Sequence, residues 1–401
     1  MANKFEPNML ATARANSPAD NSTWLTSKKY CYALSLVVLL LPLLSAYFAV
    51  TNNQGLWLWL PFIFIYAGIT LLDKVFGDDE SNPSEAMVEE IKNQAYYKII
   101  LFIAVPLLWL SVIVLAYVIT HYEWSWFSFL GAALSAGIMA ATGVNLGHEL
   151  GHKVNDNAQQ LAAQLALALS GYGHFVIEHN KGHHKDVATP EDPASSRMGE
   201  SIYKFAQREI PGAFRRARAL EAARLQRLGK SPWSVHNEII QTALITLTAY
   251  VLLIAFFGPL MIPFLAIVAA YGYWALSSAN YIEHYGLLRQ KEASGRYERC
   301  KPQHSWNSNH KVSNLFLLHL QRHSDHHAHP TRAYQVLRDY NNVPKLHAGY
   351  PWMYILALFP NIWFSIMDPK IADWAQGDMH KVNMDPQAKD DRFRRYHRIA
   401  Q

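Results

Sequence analysis

Cysteine is nearly absent from this chain, whose 401 residues include only Cys31 and Cys300. Two thiols cannot supply a disulfide framework, a four-cysteine zinc site or a cysteine-ligated iron–sulfur cluster. Charge is also scarce, because 17% of the residues are charged, whereas soluble domains have about 25%. The net charge of +5 is modest, and no basic run with interleaved aromatic residues indicates a nucleic-acid partner.

Long apolar runs account for the low charge. Each of six runs is long enough to cross a hydrocarbon core, which requires about 20 helical residues. The mean hydropathy of −0.04 shows that polar segments must offset these runs. We therefore predict an all-α membrane protein with six transmembrane helices and a cytoplasmic, histidine-rich catalytic cap. The runs cover about residues 30–50, 55–72, 97–120, 126–147, 239–257 and 260–282.

The loops between the runs differ sharply in basic residues. The short loops at 51–54, 121–125 and 258–259 contain no Lys or Arg, whereas the long polar segments are basic. The positive-inside rule therefore predicts a multi-pass membrane protein with both termini in the cytoplasm. The predicted parts are a tail at 1–29, helices 1–4 at 30–147, a cytoplasmic segment at 148–238, helices 5–6 at 239–282 and a second cytoplasmic segment at 283–401.

Two shorter apolar segments are predicted not to cross the membrane. Residues 160–177 lie between two histidine clusters that must sit together, so this segment should fold back within or under the membrane face. Residues 350–368 are short, aromatic and interrupted by proline, which is typical of an interfacial helix.

Histidine is the conspicuous residue of the polar segments. Fourteen of the nineteen histidines lie within 148–184 and 284–329, and neutral imidazole is the commonest metal ligand in proteins. Spacings of three to four residues place side chains on one helix face. Nine imidazoles exceed the needs of one ion, so we predict a two-metal site. Its candidate ligands are His148, His152, His179, His183, His184, His284, His323, His326 and His327.

Other polar groups near these clusters are candidates for supporting roles. Ligating histidines usually need their second nitrogen held by a carboxylate or carbonyl group. We expect His174, His319 and His329 to be supporting or surface groups, and His304 and His310 to be loop residues. The candidate carboxylates are Glu149, Glu178, Asp186, Asp192, Glu283 and Asp325.

The histidine pattern leaves several functions open. The sequence "HELGH" fits the H-E-x-x-H motif of zinc proteases, with Glu149 as the base, but three ligands suffice for that site. Imidazole ligands suit iron, zinc or copper. A di-iron site at the membrane face could bind O2 and attack an unactivated C–H bond of a lipophilic substrate. A metal transporter is the remaining alternative, and one-sided clustering of the histidines argues against it.

Longer strings resemble one family. "HELGH", "EHNKGHH", "NYIEHYGLLRQ" and "LQRHSDHHAHP", with "HSWNSNHKVSNL", resemble the membrane-bound non-haem di-iron alkane 1-monooxygenases over about residues 30–375. The resemblance implies that the nine histidines bind two iron ions. It also implies that O2 hydroxylates the terminal methyl group of medium-chain n-alkanes. A fatty-acyl desaturase or hydroxylase of the same di-iron chemistry remains the alternative. Electrons would come from NADH through a rubredoxin reductase and rubredoxin, both separate proteins because this chain has no flavin motif or rubredoxin cysteines.

Two further expectations concern the substrate and the electron donor. An alkane has no polar group, so it should reach the site between apolar helices. Runs two, three, four and six are the expected walls of this channel, with Ile65 as the candidate that limits chain length. Acidic rubredoxin should dock on a basic face, for which the candidates are Lys181, Lys185, Arg215, Arg216, Arg218, Arg322 and Arg332.

Overall fold

The structure is a computed structural model that describes residues 28–398. This part of the chain is helical, with isolated β-bridges in place of strands. The predicted tail at 1–29 lies outside the described residues, except for Lys28 and Lys29. The six predicted membrane helices are confirmed as helices of sufficient length and hydropathy. We name them spans 1 to 6: Lys28–Thr51, Gly55–Phe76, Ala95–His121, Trp126–Gly151, Glu238–Phe257 and Met261–His284.

Span 4 is the central helix because glycine lets its neighbours approach closely. A Cβ atom on Gly131 would lie 2.5 Å from the Trp59 ring, and one on Gly143 would lie 2.5 Å from the Ala166 carbonyl oxygen. Small residues at helix interfaces permit such close packing within a membrane. Span 4 consequently packs against spans 2, 3 and 6.

The predicted fold-back after span 4 is present. Asp156 caps the helix Asn157–Ala168 by accepting bonds from two backbone N–H groups, and the helix then ends in a turn. Trp109, halfway along span 3, donates to the Leu165 carbonyl group at 3.0 Å. Tyr250, near the middle of span 5, donates to the Leu169 carbonyl group at 2.8 Å. The helix therefore dips among the spans and returns, and its last carbonyl groups find donors there.

The remaining polar segments form one layer, which we call the cap and define as residues 77–94, 172–237 and 285–398. Backbone and side-chain bonds tie its parts together: Asp79 N–H donates to the Asn309 carbonyl group at 2.8 Å, and Arg322 donates to the Asp79 carbonyl group at 2.7 Å. The cap lies beyond the C-terminal ends of spans 4 and 6. Its α- and π-helices are Glu85–Lys92, Phe175–Glu178, His179–His183, His184–Asp186, Ile202–Arg227, Lys311–Phe316, His323–Ala328, Tyr350–Ala357, Pro360–Trp374 and Lys389–Tyr396.

The segment at 350–368 forms two helices with one buried and one exposed face. Trp363 is fully buried, and its ring centroid lies 5.0 Å from that of Tyr281 and 5.4 Å from that of Tyr285. Phe359 and Ile362 are exposed. This pattern is that of an amphipathic helix pair packed against the C-terminal end of span 6.

Candidate metal centre

The nine predicted histidines meet in two adjacent groups at the junction of spans 4 and 6 with the cap. Within each group, the ligand atoms all lie within 4.8 Å of one another. The five-histidine group contains His148, His152, His179, His184 and His326. The four-histidine group contains His183, His284, His323 and His327.

The spacing of the Nε2 atoms matches that of ligands around an ion. In the five-histidine group, Nε2 of His326 lies 2.9 Å from that of His148 and 3.1 Å from that of His184. In the four-histidine group, Nε2 of His327 lies 2.9 Å from that of His323 and 3.2 Å from that of His183. Adjacent ligands at right angles, each about 2.1 Å from a metal ion, are separated by about 3 Å.

Unpaired ring nitrogens and the protonation state of the histidines are also those expected of metal ligands. Nε2 of His152 and both ring nitrogens of His284 are buried and have no hydrogen-bond partner among the described residues. Burial, reinforced by neighbouring imidazoles, lowers the pKa of His179, His326 and His327 well below the usual histidine range. These rings are therefore neutral, which is the form that binds metal ions.

A π-helical turn divides the histidines of the string "EHNKGHH", which we call box two, between the groups. The turn covers His179–His183, and the wider π-helix brings positions five residues apart onto one face. His179 and His184 therefore join the five-histidine group, whereas His183 points to the other group. Such turns are frequent at functional sites. The sequence predicted the membership of the box but not its division.

Asp192 is the candidate carboxylate that orients a histidine. Its Oδ2 lies 2.9 Å from Nδ1 of His183 and accepts a bond from the Ser195 hydroxyl group at 2.7 Å. Asp192 is 1% exposed. With the proton of His183 held on Nδ1 by this carboxylate, Nε2 remains free for a ligand role.

Glu283 lies on the other side of the four-histidine group. Its Oε2 is 3.2 Å from Nε2 of His323, so the carboxylate faces the ligand atom rather than the outer nitrogen. The carboxylate is buried, and the Tyr350 hydroxyl group also interacts with it. Glu283 is therefore placed to interact with an ion or with a water molecule beside it.

The other four candidate carboxylates pair with basic residues rather than with the nine histidines. Arg216 joins two of them and also contacts Asp192 at 3.4 Å. The four pairs are Glu149–Lys153 at 3.9 Å, Glu178–Arg216 at 3.7 Å, Asp186–Arg216 at 2.5 Å and Asp325–Arg332 at 2.5 Å.

The additional histidines lie outside both groups. His319 is buried, and its ring nitrogens lie 3.1 and 3.2 Å from the Tyr32 hydroxyl group. His174 stacks on Tyr172 with ring centroids 4.5 Å apart, and His329 is exposed. His304 accepts a bond from the Lys301 N–H group, and His310 bonds to Ser308.

The predicted basic docking face requires a correction. Arg322 is 1% exposed and donates to the carbonyl groups of Leu337, Asp79 and Ser81, so its assignment to an exposed face is wrong. Arg216 is held by its three carboxylates, and Arg332 is held by Asp325. The exposed candidates are Lys181, Lys185, Arg215 and Arg218.

An apolar cavity leads from the spans to the histidines. Val38, Ile65 and Ile138 are among its lining residues, and His148, His179 and His323 lie at its cap end. It thus contacts both groups. Residues of spans 1, 2, 4 and 6 line the part of the cavity between the membrane helices. No lining residue comes from span 3, Ala95–His121. The prediction that run three lines the channel is wrong: span 3 packs against spans 1 and 4 and contributes no residue to the cavity lining.

Comparisons with known proteins agree with this geometry. The family model described as "Fatty acid desaturase" matches residues 124–357. The chain is 49% identical to alkane 1-monooxygenase 1 of Alcanivorax borkumensis, over 94% of this chain and 93% of that protein. It is 50% identical to alkane 1-monooxygenase of Pseudomonas putida, over 90% of both chains. It is 49% identical to the enzyme of the same name from Ectopseudomonas oleovorans, over 93% of both. With its membrane helices and paired histidine groups, the chain belongs to the alkane 1-monooxygenase family.

Proposed function

We propose that this protein hydroxylates the terminal methyl group of medium-chain n-alkanes at a di-iron centre held by the nine histidines. The observation that supports this proposal best is the apolar cavity, which rises between the spans and ends at both histidine groups. When bound, two iron ions would supply the O2 chemistry that places one oxygen atom in an unactivated C–H bond. The other oxygen atom leaves as water, with two electrons and two protons taken up.

The cavity walls would bind and orient the alkane. Burial of each CH2 group stabilises the bound chain by about 0.8 kcal/mol, and this requires no polar contact. An alkane entering from the bilayer presents its methyl end to the histidines while the rest of the chain remains among spans 1, 2, 4 and 6. This orientation favours a primary alcohol as product.

Polar residues at the cap end would hold the site in shape. Asn145 on span 4 donates to the Leu317 carbonyl group at 2.9 Å, which fixes the cap against the cavity. Asp192 holds the Nδ1 proton of His183. Glu283 is the carboxylate among the cavity-lining residues, and we propose that it positions a water molecule or a proton beside the four-histidine group.

Ile65 is proposed to limit chain length from the wall of span 2. It lies in a π-helical turn at Phe64–Gly68 and lines the cavity. The turn allows Ile65, Tyr66 and Ile69 to face the same space. A larger side chain at position 65 would occupy the volume that the distal end of an alkane needs.

We propose that reduced rubredoxin delivers the electrons and that an NADH-dependent reductase regenerates it. An acidic donor would meet Lys181, Lys185, Arg215 and Arg218 on the cap. By the positive-inside rule, this surface and both termini face the cytoplasm. The protein would then reside in the bacterial cytoplasmic membrane and draw on cytoplasmic NADH.

Reconstitution tests the proposal directly. The purified protein in lipid vesicles, with rubredoxin, its reductase, NADH and O2, should convert octane to 1-octanol and should contain two iron ions per chain. A parallel assay offers fatty-acyl substrates. Stoichiometric zinc, or desaturation of the acyl substrate without formation of octanol, would overturn the proposal.

A further inference from the structure

A hydrogen bond between two tyrosines crosses the cavity below the metal centre. The hydroxyl oxygens of Tyr66 on span 2 and Tyr271 on span 6 are 2.6 Å apart, and both residues line the cavity. The two positions are 205 residues apart in the chain. The pair therefore links span 2 to span 6, a contact that the sequence pattern does not predict.

On span 6, the pair marks the end of the cavity that is farthest from the histidines. On span 6, the lining residues begin at Tyr271, 13 positions before His284, and that length of helix is roughly 20 Å. Phe62 lies one turn beyond the pair, with ring centroids 4.9 Å from Tyr66 and 6.4 Å from Tyr271. Three aromatic rings thus form a layer across this end.

Packing holds both rings in place. A Cβ atom on Gly137 of span 4 would lie 2.7 Å from the Tyr271 ring, so this ring cannot move toward span 4. Tyr66 is set by the π-helical turn Phe64–Gly68. One hydroxyl group donates its proton to the other, and a buried hydroxyl group without a partner is costly. Opening the layer therefore breaks the bond and leaves both hydroxyl groups unpaired.

We propose that the Tyr66–Tyr271 pair is the floor of the alkane cavity and sets the longest alkane that the enzyme accepts. The proposal rests on the alkane hydroxylase function above. Ile65 narrows the cavity from the side of span 2, whereas the tyrosine pair closes the cavity at its end. Chains that reach the floor must break the hydrogen bond between the spans, and shorter chains do not.

Product profiles across an alkane series test the floor. We would measure kcat/KM for hexane to hexadecane with Tyr66→Phe, Tyr271→Phe, the double variant and Tyr271→Ala. Each CH2 group newly admitted should raise the relative kcat/KM of the longer alkane by about fourfold. Because either single Phe change removes the same bond, the double variant should add little to either one. Tyr271→Ala should extend the range farther than any Phe variant.

Tyr250→Phe is the matched control. Tyr250 also donates a hydrogen bond among the spans, to the Leu169 carbonyl group, but it does not line the cavity. Its chain-length profile should equal that of the unmodified protein. Iron content, measured on every variant, should remain at the unmodified value because the pair lies far from the histidines.

The outcomes separate this proposal from the one on which it rests. If the unmodified protein forms no alkanol, the hydroxylase function fails. If it is active and the Phe variants keep both full iron content and the unmodified chain-length profile, the floor is located elsewhere. If the double variant shifts the chain-length profile by the sum of the two single-variant shifts, the rings act independently. That result would overturn the role of the hydrogen bond. If Tyr271→Ala does not fold, the Phe variants and the control still decide.

Discussion

Nδ1 of His183, a member of the four-histidine group, lies 2.9 Å from Oδ2 of Asp192, and both side chains are buried. Burial alone would raise the pKa of the Asp192 carboxyl group, but the nearby His183 and the bond from Ser195 hold it well below the usual range. The carboxylate is therefore charged and accepts the Nδ1 proton. Nε2 of His183 faces His327. The contact with Asp192 therefore fixes the orientation of a proposed iron ligand.

Replacing Asp192 with Asn should weaken iron binding by about 10- to 100-fold, because outer partners of metal-bound histidines contribute on this scale. Iron retained per chain during titration with a chelator measures the effect. Glu221→Gln is the control: Glu221 is another buried acid, but its partner is Arg224. Equal iron retention in Asp192→Asn and the unmodified protein would contradict the positioning role.

Replacing His284 with Ala should reduce the iron content from two ions toward one per chain and remove hydroxylation. Its ring centroid lies 5.2 Å from that of His323 and 5.1 Å from that of His327, so the change removes one of the four histidines of that group. Metal analysis by mass spectrometry and alkanol formation report the change. His319→Gln, a buried histidine outside both groups, should keep both irons. Full activity in His284→Ala would remove His284 from the ligand set.

Substitutions at Ile65 should shift chain-length preference in opposite directions. Trp occupies more of the cavity and should favour shorter alkanes, whereas Ala leaves space for longer ones. Each CH2 group excluded or admitted corresponds to about 0.8 kcal/mol of binding free energy. Competition assays with mixed alkanes measure the ratio. Two active variants with unchanged profiles would show that Ile65 does not limit the chain.

Turnover at limiting rubredoxin should fall as ionic strength rises from about 20 mM to about 500 mM, because salt screens attraction between exposed charges. Lys185→Glu should raise the KM for rubredoxin and weaken this salt dependence, with kcat at saturating rubredoxin unchanged. Arg227→Glu, at the far end of the helix Ile202–Arg227, serves as the control. A salt-independent rate would argue against docking on the exposed basic residues.

Hydropathy and histidine spacing sufficed to predict the spans, the fold-back and all nine members of the two groups. They did not predict how box two is divided, because a spacing of four residues fits an α-helix and the π-helical turn at His179–His183 appears only in the structure. Charge composition likewise could not distinguish the buried Arg322 from the exposed Lys185. The contact of Tyr66 with Tyr271 depends on tertiary packing, which leaves no local pattern in the sequence.

The division of the histidine boxes has a consequence for biogenesis. His148 and His326, whose Nε2 atoms are 2.9 Å apart, are separated by 178 positions in the chain, and each group combines residues from both sides of spans 5 and 6. Neither group is complete before the segment with His323, His326 and His327 emerges from the ribosome and docks. A nascent chain that ends before residue 323 can place its spans in the bilayer yet lacks part of each ligand set. Metal acquisition would then be the closing event of maturation, and iron would report that the cap has assembled.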